Sequence, residues 1–181
     1  MFTGRTAKIF GIGHSFERVD IPETVPLVER WETFIDHWYE DGIRKRDTPA
    51  GPKGSIIWSC CFGHAEDGDN EPKIMKPGQT FTIEEGRILL ALDMKIKARY
   101  VDARVSVPIT TFMRGALTSL VFQYGQGRFD EENLIPILNE GKYTKFARSL
   151  LKLSKTTAGV DLDGLALRRA CEVAFFMTQI N

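Results

Sequence analysis

Lys76-Pro77-Gly78-Gln79-Thr80-Phe81-Thr82-Ile83-Glu84-Glu85 divides the chain into two kinds of sequence. Lys76-Pro77-Gly78 marks a turn, because proline presets one backbone angle and glycine accepts conformations other residues avoid. Thr82-Ile83-Glu84-Glu85 then has the spacing of a capping box, in which a hydroxyl and a carboxylate three residues apart satisfy the first free N–H groups of a helix. Ile88, Leu89, Leu92 and Ile96 follow at helical spacing. They predict a helix to about Val101, the longest in the chain and a candidate bridge between two lobes.

Upstream of that boundary, residues 39–75 are rich in Gly, Pro, Asp and Lys, with one apolar segment from Ile56 to Phe62. This pattern predicts a small, irregular sheet with long loops. Before it, Leu27, Val28, Trp31, Phe34, Ile35 and Trp38 recur at helical spacing. They predict a helix starting near Thr24 or Pro26, with Glu32 just beyond the edge of its apolar stripe. Residues 1–21 show no clear periodicity and read as an extension. Downstream, the spacing predicts helices from about Thr110 to Tyr124, stopping at Gly125, and a short one before Gly141. Asn133 as the cap of the latter would put Pro136 in the first turn, where its missing N–H costs nothing. Further helices are expected from about Lys142 to Lys155 and from Leu162 to Met177. The sum is an α+β domain over 22–181, with a β-rich lobe at about 39–80 and a larger helical lobe at about 82–181.

The chain has 181 residues, 43% hydrophobic and 27% charged, which suits one folded domain or one domain in two lobes. Basic and acidic side chains number 24 each. A strongly basic nucleic-acid binder is therefore disfavoured. The charge is uneven: residues 1–90 carry a net −4 and residues 91–181 a net +4. The second half is thus better suited to meet an anionic polymer. No apolar run approaches the roughly 20 residues that span a bilayer. The first residues lack the basic-then-apolar pattern of a signal peptide, so synthesis in the cytoplasm is the expectation. Cys60, Cys61 and Cys171 are odd in number and two are adjacent, so reduced thiols are expected. Buried strand packing is the favoured role of Cys60 and Cys61 over a nucleophile. His14, His37 and His64 are scattered, with no metal-ligand spacing. Glu66-Asp67-Gly68-Asp69-Asn70-Glu71 lacks a glycine and a terminal glutamate at the spacing of an EF-hand calcium loop and reads as solvated. Gly11-Ile12-Gly13 is too short to argue for a phosphate loop.

Hydrolysis of a glycosidic bond needs two carboxyl-type groups, one to protonate the leaving oxygen and one to act as base or nucleophile. The donor must hold its proton near neutrality, which apolar surroundings favour. Glu32 is placed for that, and Asp41 follows nine residues later, where a chain reversal would bring it across a cleft. Spacing alone does not single out this pair among 24 acidic residues.

Several segments in order carry a more specific signal. Val28-Glu29-Arg30-Trp31-Glu32-Thr33-Phe34 and Trp38-Tyr39-Glu40-Asp41 are followed by Trp58-Ser59-Cys60-Cys61-Phe62-Gly63-His64 and by the turn and cap at 76–85. Val107-Pro108-Ile109-Thr110, Val121-Phe122-Gln123-Tyr124-Gly125 and Leu138-Asn139-Glu140-Gly141-Lys142-Tyr143 come next, then Gly164-Leu165 with Arg168-Arg169 and Glu172. Over about residues 24–176 this series resembles the phage lysozymes of glycoside hydrolase family 24. The resemblance implies a lysozyme-like fold, in which a small β-sheet lobe is joined by a long helix to a larger helical lobe. It implies a muramidase that cuts the β-1,4 bond between N-acetylmuramic acid and N-acetylglucosamine in peptidoglycan, without cofactor or metal. Glu32 would be the proton donor, and Asp41 and Ser59 would position or activate the attacking water by single displacement. Gln123 and Tyr124 would line the sugar cleft, although packing at the helix end is an equal reading. His64 would be a structural or ion-pairing side chain, and Arg168 and Arg169 would pin the last helix.

The segment between Asp41 and Ser59 is about a dozen residues longer than the family usually shows. If the correspondence slips there, Asp47 replaces Asp41 as second carboxylate. The family reading further implies a monomeric endolysin, made in the host cytoplasm, released with the help of a holin and acting on the cell wall. A chitin or chitosan glycosidase of the same fold and an inactive wall-binding or virion relative are the alternatives.

Overall fold

A computed structural model describes residues 24–45, 47, 51–65, 78–153 and 163–178. The expected extension at 1–21, Gly11-Ile12-Gly13 and the acidic stretch at 66–71 lie outside them. In chain order the elements are α1 (Thr24–Glu29), β1 (Ile35–Ile43), β2 (Ile56–Cys61), β3 (His64–Ala65), α2 (Ile83–Asp102), α3 (Thr111–Glu131), α4 (Ile135–Asn139), α5 (Tyr143–Leu150) and α6 (Asp163–Phe176). A small antiparallel sheet with a majority of helices is the expected α+β class. The chain forms two compact units: one holds residues 32–96, the other residues 24–31 and 97–178.

In the first unit the strands lie in the order β1-β2-β3. The β1–β2 pairing sets Ile35 opposite Cys61, Tyr39 opposite Ser59, Glu40 opposite Trp58 and Gly42 opposite Ile57. The register slips twice on β1, between Ile35 and Tyr39 and between Glu40 and Gly42. At the second slip Asp41 is the extra residue of a β-bulge, a device that bends a strand and re-aims a side chain. The tight return from β2 to β3 uses positive φ at Cys61 (56°) and Gly63 (81°). Cys60, Cys61, Phe81 and Leu89 form the unit's buried cluster, with Phe34 and Trp38 packed against it.

The expected helix through Trp38 is corrected by this sheet. α1 ends at Glu29 and β1 begins at Ile35. A spacing of four residues is a multiple of both the helical and the strand repeat, so Phe34 and Trp38 share a face either way. What decides for a strand is tertiary: both rings lie on the cluster built by β2 and α2. Glu32 therefore sits in the bend between α1 and β1, not on a helix.

The Thr82 cap is present as read. The Thr82 N–H and hydroxyl donate to Glu85 Oε2 at 2.7 and 3.0 Å, and the Glu85 N–H donates to Thr82 Oγ1 at 3.2 Å. α2 approaches the sheet so closely that a Cβ on Gly86 would lie 2.7 Å from the Phe34 ring and 3.2 Å from Cys61 Cβ. A side chain at 86 would force a shift of Phe34 or of Cys61 at the end of β2.

The second unit is an apolar body. Its core joins Val101, Met113, Leu117, Leu120, Phe146 and Phe176, all buried. α3 starts at the Thr110 cap and is kinked at Gly125, whose φ of 72° and ψ of 164° are not helical. The helix expected to stop at Gly125 does so, and a second segment then runs to Glu131. Leu134, not Asn133, caps α4, and it makes no side-chain cap bond. Asn133 takes the left-handed conformation (φ 51°) that asparagine tolerates better than most residues. Pro136 falls in the first turn as expected. α5 ends at Leu150, several residues short of the expected Lys155.

Candidate active site

The first unit gathers Tyr39, Asp41 and Ser59 on neighbouring strands, with Glu32 near by. Ser59 is fully buried on β2 and its hydroxyl donates to Asp41 Oδ2 at 2.9 Å. Asp41 is on the exposed side of the bulge. That combination holds a carboxylate beside a hydroxyl while leaving the carboxylate open to solvent. Asp47 stands elsewhere, accepting the Lys53 N–H at 2.8 Å within the loop that joins β1 to β2. Of the two candidate second carboxylates, Asp41 is the one beside Ser59.

Glu32 is half-buried. It lies close enough to the sheet for its charge to act on the Tyr39 phenol. Burial raises the Tyr39 phenol above its ordinary value, the negative fields of Asp41, Cys60 and Glu32 add to the rise, and the Ser59 hydroxyl opposes it. Tyr39 therefore stays a neutral phenol amid acidic groups. The family resemblance includes Tyr39 in a motif and assigns it no role. Only the cross-strand register shows that it faces Ser59.

His64 is behind the site, buried, with Nδ1 2.9 Å from Asp93 Oδ2 on α2. This buried contact with Asp93 is a structural role, as expected for it. Cys60 and Cys61 are free and buried, packed in the strand as expected.

In the second unit, Gln123 Oε1 accepts a hydrogen bond from Arg169 Nη2. The Tyr124 hydroxyl donates to the Leu153 carbonyl at 2.7 Å, with the Arg128 and Arg169 guanidiniums against its ring. These partners match the packing alternative for both residues. Arg168 and Arg169 reach Glu172 at 3.3 and 2.8 Å, and Ser119 on α3 donates to the same carboxylate at 2.5 Å. Burial raises the Glu172 carboxyl from its ordinary value, against the pull of Arg169, Ser119 and Arg168. Both arginine–Glu172 pairs lie within α6, and Ser119–Glu172 with Arg169–Gln123 ties that helix to α3, a structural role for the cluster. Among the described residues, no group of three His, Cys, Asp or Glu side chains is placed to hold a metal ion.

A family model described as phage lysozyme matches residues 29–172, from the turn before Glu32 to Glu172. The chain belongs to the phage lysozyme family. Among curated relatives of this family, the SAR-endolysin of Enterobacteria phage P21 is 33% identical over 116 residues, 64% of this chain and 66% of that protein. The SAR-endolysin of Escherichia phage Mu is 33% identical over 120 residues, 66% of each chain. The chain thus spans just under two thirds of the length of the P21 protein. The muramidase domain of SpmX from Asticaccaulis excentricus superposes with a TM-score of 0.68 at 24% identity, covering 91% of this chain and 99% of that one. A P22 lysozyme mutant superposes at 0.66 and 23% identity, covering 87% and 97%. These likenesses establish the lysozyme fold expected from the sequence.

Proposed function

We propose that the chain is a peptidoglycan hydrolase, an endo-acting muramidase that cuts the β-1,4 bond between N-acetylmuramic acid and N-acetylglucosamine. The observation that carries this reading is the Ser59–Asp41 hydrogen bond of 2.9 Å, on the exposed flank of a bulged strand, with Glu32 in the same unit. Glu32 protonates the leaving oxygen. Asp41 and Ser59 hold the water: the carboxylate takes its proton and the hydroxyl fixes its direction. The reading favours single displacement with inversion, which requires the two carboxyl groups roughly 6.5–9.5 Å apart to admit the water. Gln123 contributes its amide NH2 to a sugar hydroxyl, and Tyr124 holds the end of that helix in place.

The names of the relatives support an endolysin role in host lysis. In this reading the chain is monomeric, made in the host cytoplasm and active on the cell wall, with holin-assisted release. Among the described residues, no helix is long and apolar enough to cross a membrane.

Purified protein incubated separately with peptidoglycan and with chitin oligomers tests the substrate. New reducing ends from peptidoglycan, with N-acetylmuramic acid at the fresh end by mass spectrometry, are expected. Cleavage of chitin alone would assign the fold to a chitinolytic enzyme. Binding to peptidoglycan with no new ends would mark an inactive relative.

A further inference from the structure

Three polar side chains meet where β1 faces β2, and the mechanism above uses two of them. Tyr39 pairs directly with Ser59 across the strands. Asp41 lies two residues along β1 from Tyr39, displaced by the bulge, and accepts the Ser59 proton at 2.9 Å. A serine hydroxyl has one proton and two lone pairs. Once that proton is committed to Asp41, a neighbouring phenol can meet Ser59 only as a donor. Tyr39 is half-buried, and burial with the surrounding negative charge keeps its phenol protonated, so it has a proton to give.

We propose that Tyr39 is a positioning residue for the muramidase reaction, heading a directed chain in which its hydroxyl donates to Ser59 Oγ and Ser59 donates to Asp41. The inference rests on the function proposed above. The chain fixes the serine rotamer. It holds one Asp41 oxygen in place and leaves the other, on the exposed side, to orient the attacking water and take its proton. Without Tyr39 the serine hydroxyl is free to rotate off Asp41, and the water loses its aim while the sugar contacts remain.

The expected signature of Tyr39→Phe is therefore a kcat lowered about tenfold, the scale of one lost hydrogen bond in an aligned network. KM on peptidoglycan stays within about twofold, because the loss falls on the chemical step rather than on binding. The same substitution made on a Ser59→Ala background lowers kcat less than about twofold, because the link it breaks is already gone. An equal tenfold loss on both backgrounds, or no loss in the single variant, would overturn the proposal. A raised KM with unchanged kcat would overturn it too.

Crystal structures of the wild-type chain and Tyr39→Phe test the same chain without activity. Tyr39 Oη within about 3.2 Å of Ser59 Oγ, with Ser59 leaving Asp41 in the variant, supports the proposal. A longer separation, or a serine unmoved in the variant, refutes it. A wild-type enzyme that cleaves neither peptidoglycan nor chitin would sink the proposed function alone, and the crystallographic comparison would still decide the hydrogen-bond chain.

Discussion

In the second unit the buried charges close on one another. Glu172 is held by Arg168, Arg169 and Ser119, Arg169 also takes Gln123, and the Tyr124 hydroxyl ends on a backbone carbonyl. In the first unit Asp41 and Glu32 reach the surface or half-reach it, on a bulged strand and a bend rather than on regular structure. His64 and Asp93, by contrast, are buried there together. The contrast separates two uses of polar side chains. A buried cluster of this kind sets charges against one another to hold helices together, whereas an exposed carboxylate keeps capacity for a substrate. Sequence resemblance nominates residues from both units, and their partners differ: Asp41 keeps an exposed face, whereas the Tyr124 hydroxyl ends on a backbone carbonyl.

Substitutions that cut each network give the largest contrast. Glu172→Ala removes the buried carboxylate that Arg168 and Arg169 both reach. Breaking a buried pair this way costs about 3–5 kcal/mol. Thermal unfolding should fall by on the order of 10 °C for a chain of this size. Activity per folded molecule, read at low temperature, should change little. A melting temperature within a degree or two of wild type would mean that the cluster is not the clamp described.

Gly86→Ala sharpens the comparison from the other side. The new methyl group meets Phe34 and Cys61 at contact distances that force a shift. Overpacking costs about 1–3 kcal/mol, partly offset by roughly 1 kcal/mol of better helix propensity. Because the displaced residues border the segments that carry Glu32 and Ser59, turnover of the folded protein should fall as well. Calorimetry with an assay on the same sample reads both. Lost stability with full turnover would separate the packing of α2 from the site.

The smallest effect belongs to a surface pair. Asp130 accepts from Arg104 at 2.9 and 3.1 Å and from Tyr100 at 2.5 Å, and the Arg104 hydrogen bonds lead in holding its carboxyl below the ordinary value. A lowered folded-state value means that the pair's contribution is present above the ordinary carboxylate range and lost as pH falls through the lowered value. Asp130→Asn should cost less than about 1 kcal/mol near neutrality. Its melting temperature should converge on wild type in strong acid. A difference that grows on acidification would have the wrong sign.

Local signals were legible where they acted locally. The Thr82–Glu85 cap, the stop at Gly125 and the apolar strand at 56–61 all depend on neighbours within a few residues. The Phe34–Trp38 stripe was misread because its spacing suits both repeats, and the packing that decides between them comes from Cys60, Cys61, Phe81 and Leu89 far along the chain. Asn133 looked like a cap by residue type, but its backbone is used to turn the chain between α3 and α4. At the candidate site, Glu32, Asp41 and Ser59 were visible through resemblance. The choice of Asp41 over Asp47 as the neighbour of Ser59, and the presence of Tyr39, required the register of two strands joined by a loop of unusual length.

The central claim is that Glu32 delivers the proton that breaks the glycosidic bond. Glu32→Gln keeps the side chain's shape and removes its acid, so wild type and variant should be compared on peptidoglycan by the appearance of reducing ends, with circular dichroism confirming that both fold. The account predicts that wild type cleaves and that the folded variant is slower by at least about 10²-fold, the lower end of the contribution of a positioned general acid. Equal cleavage by the two proteins would contradict it.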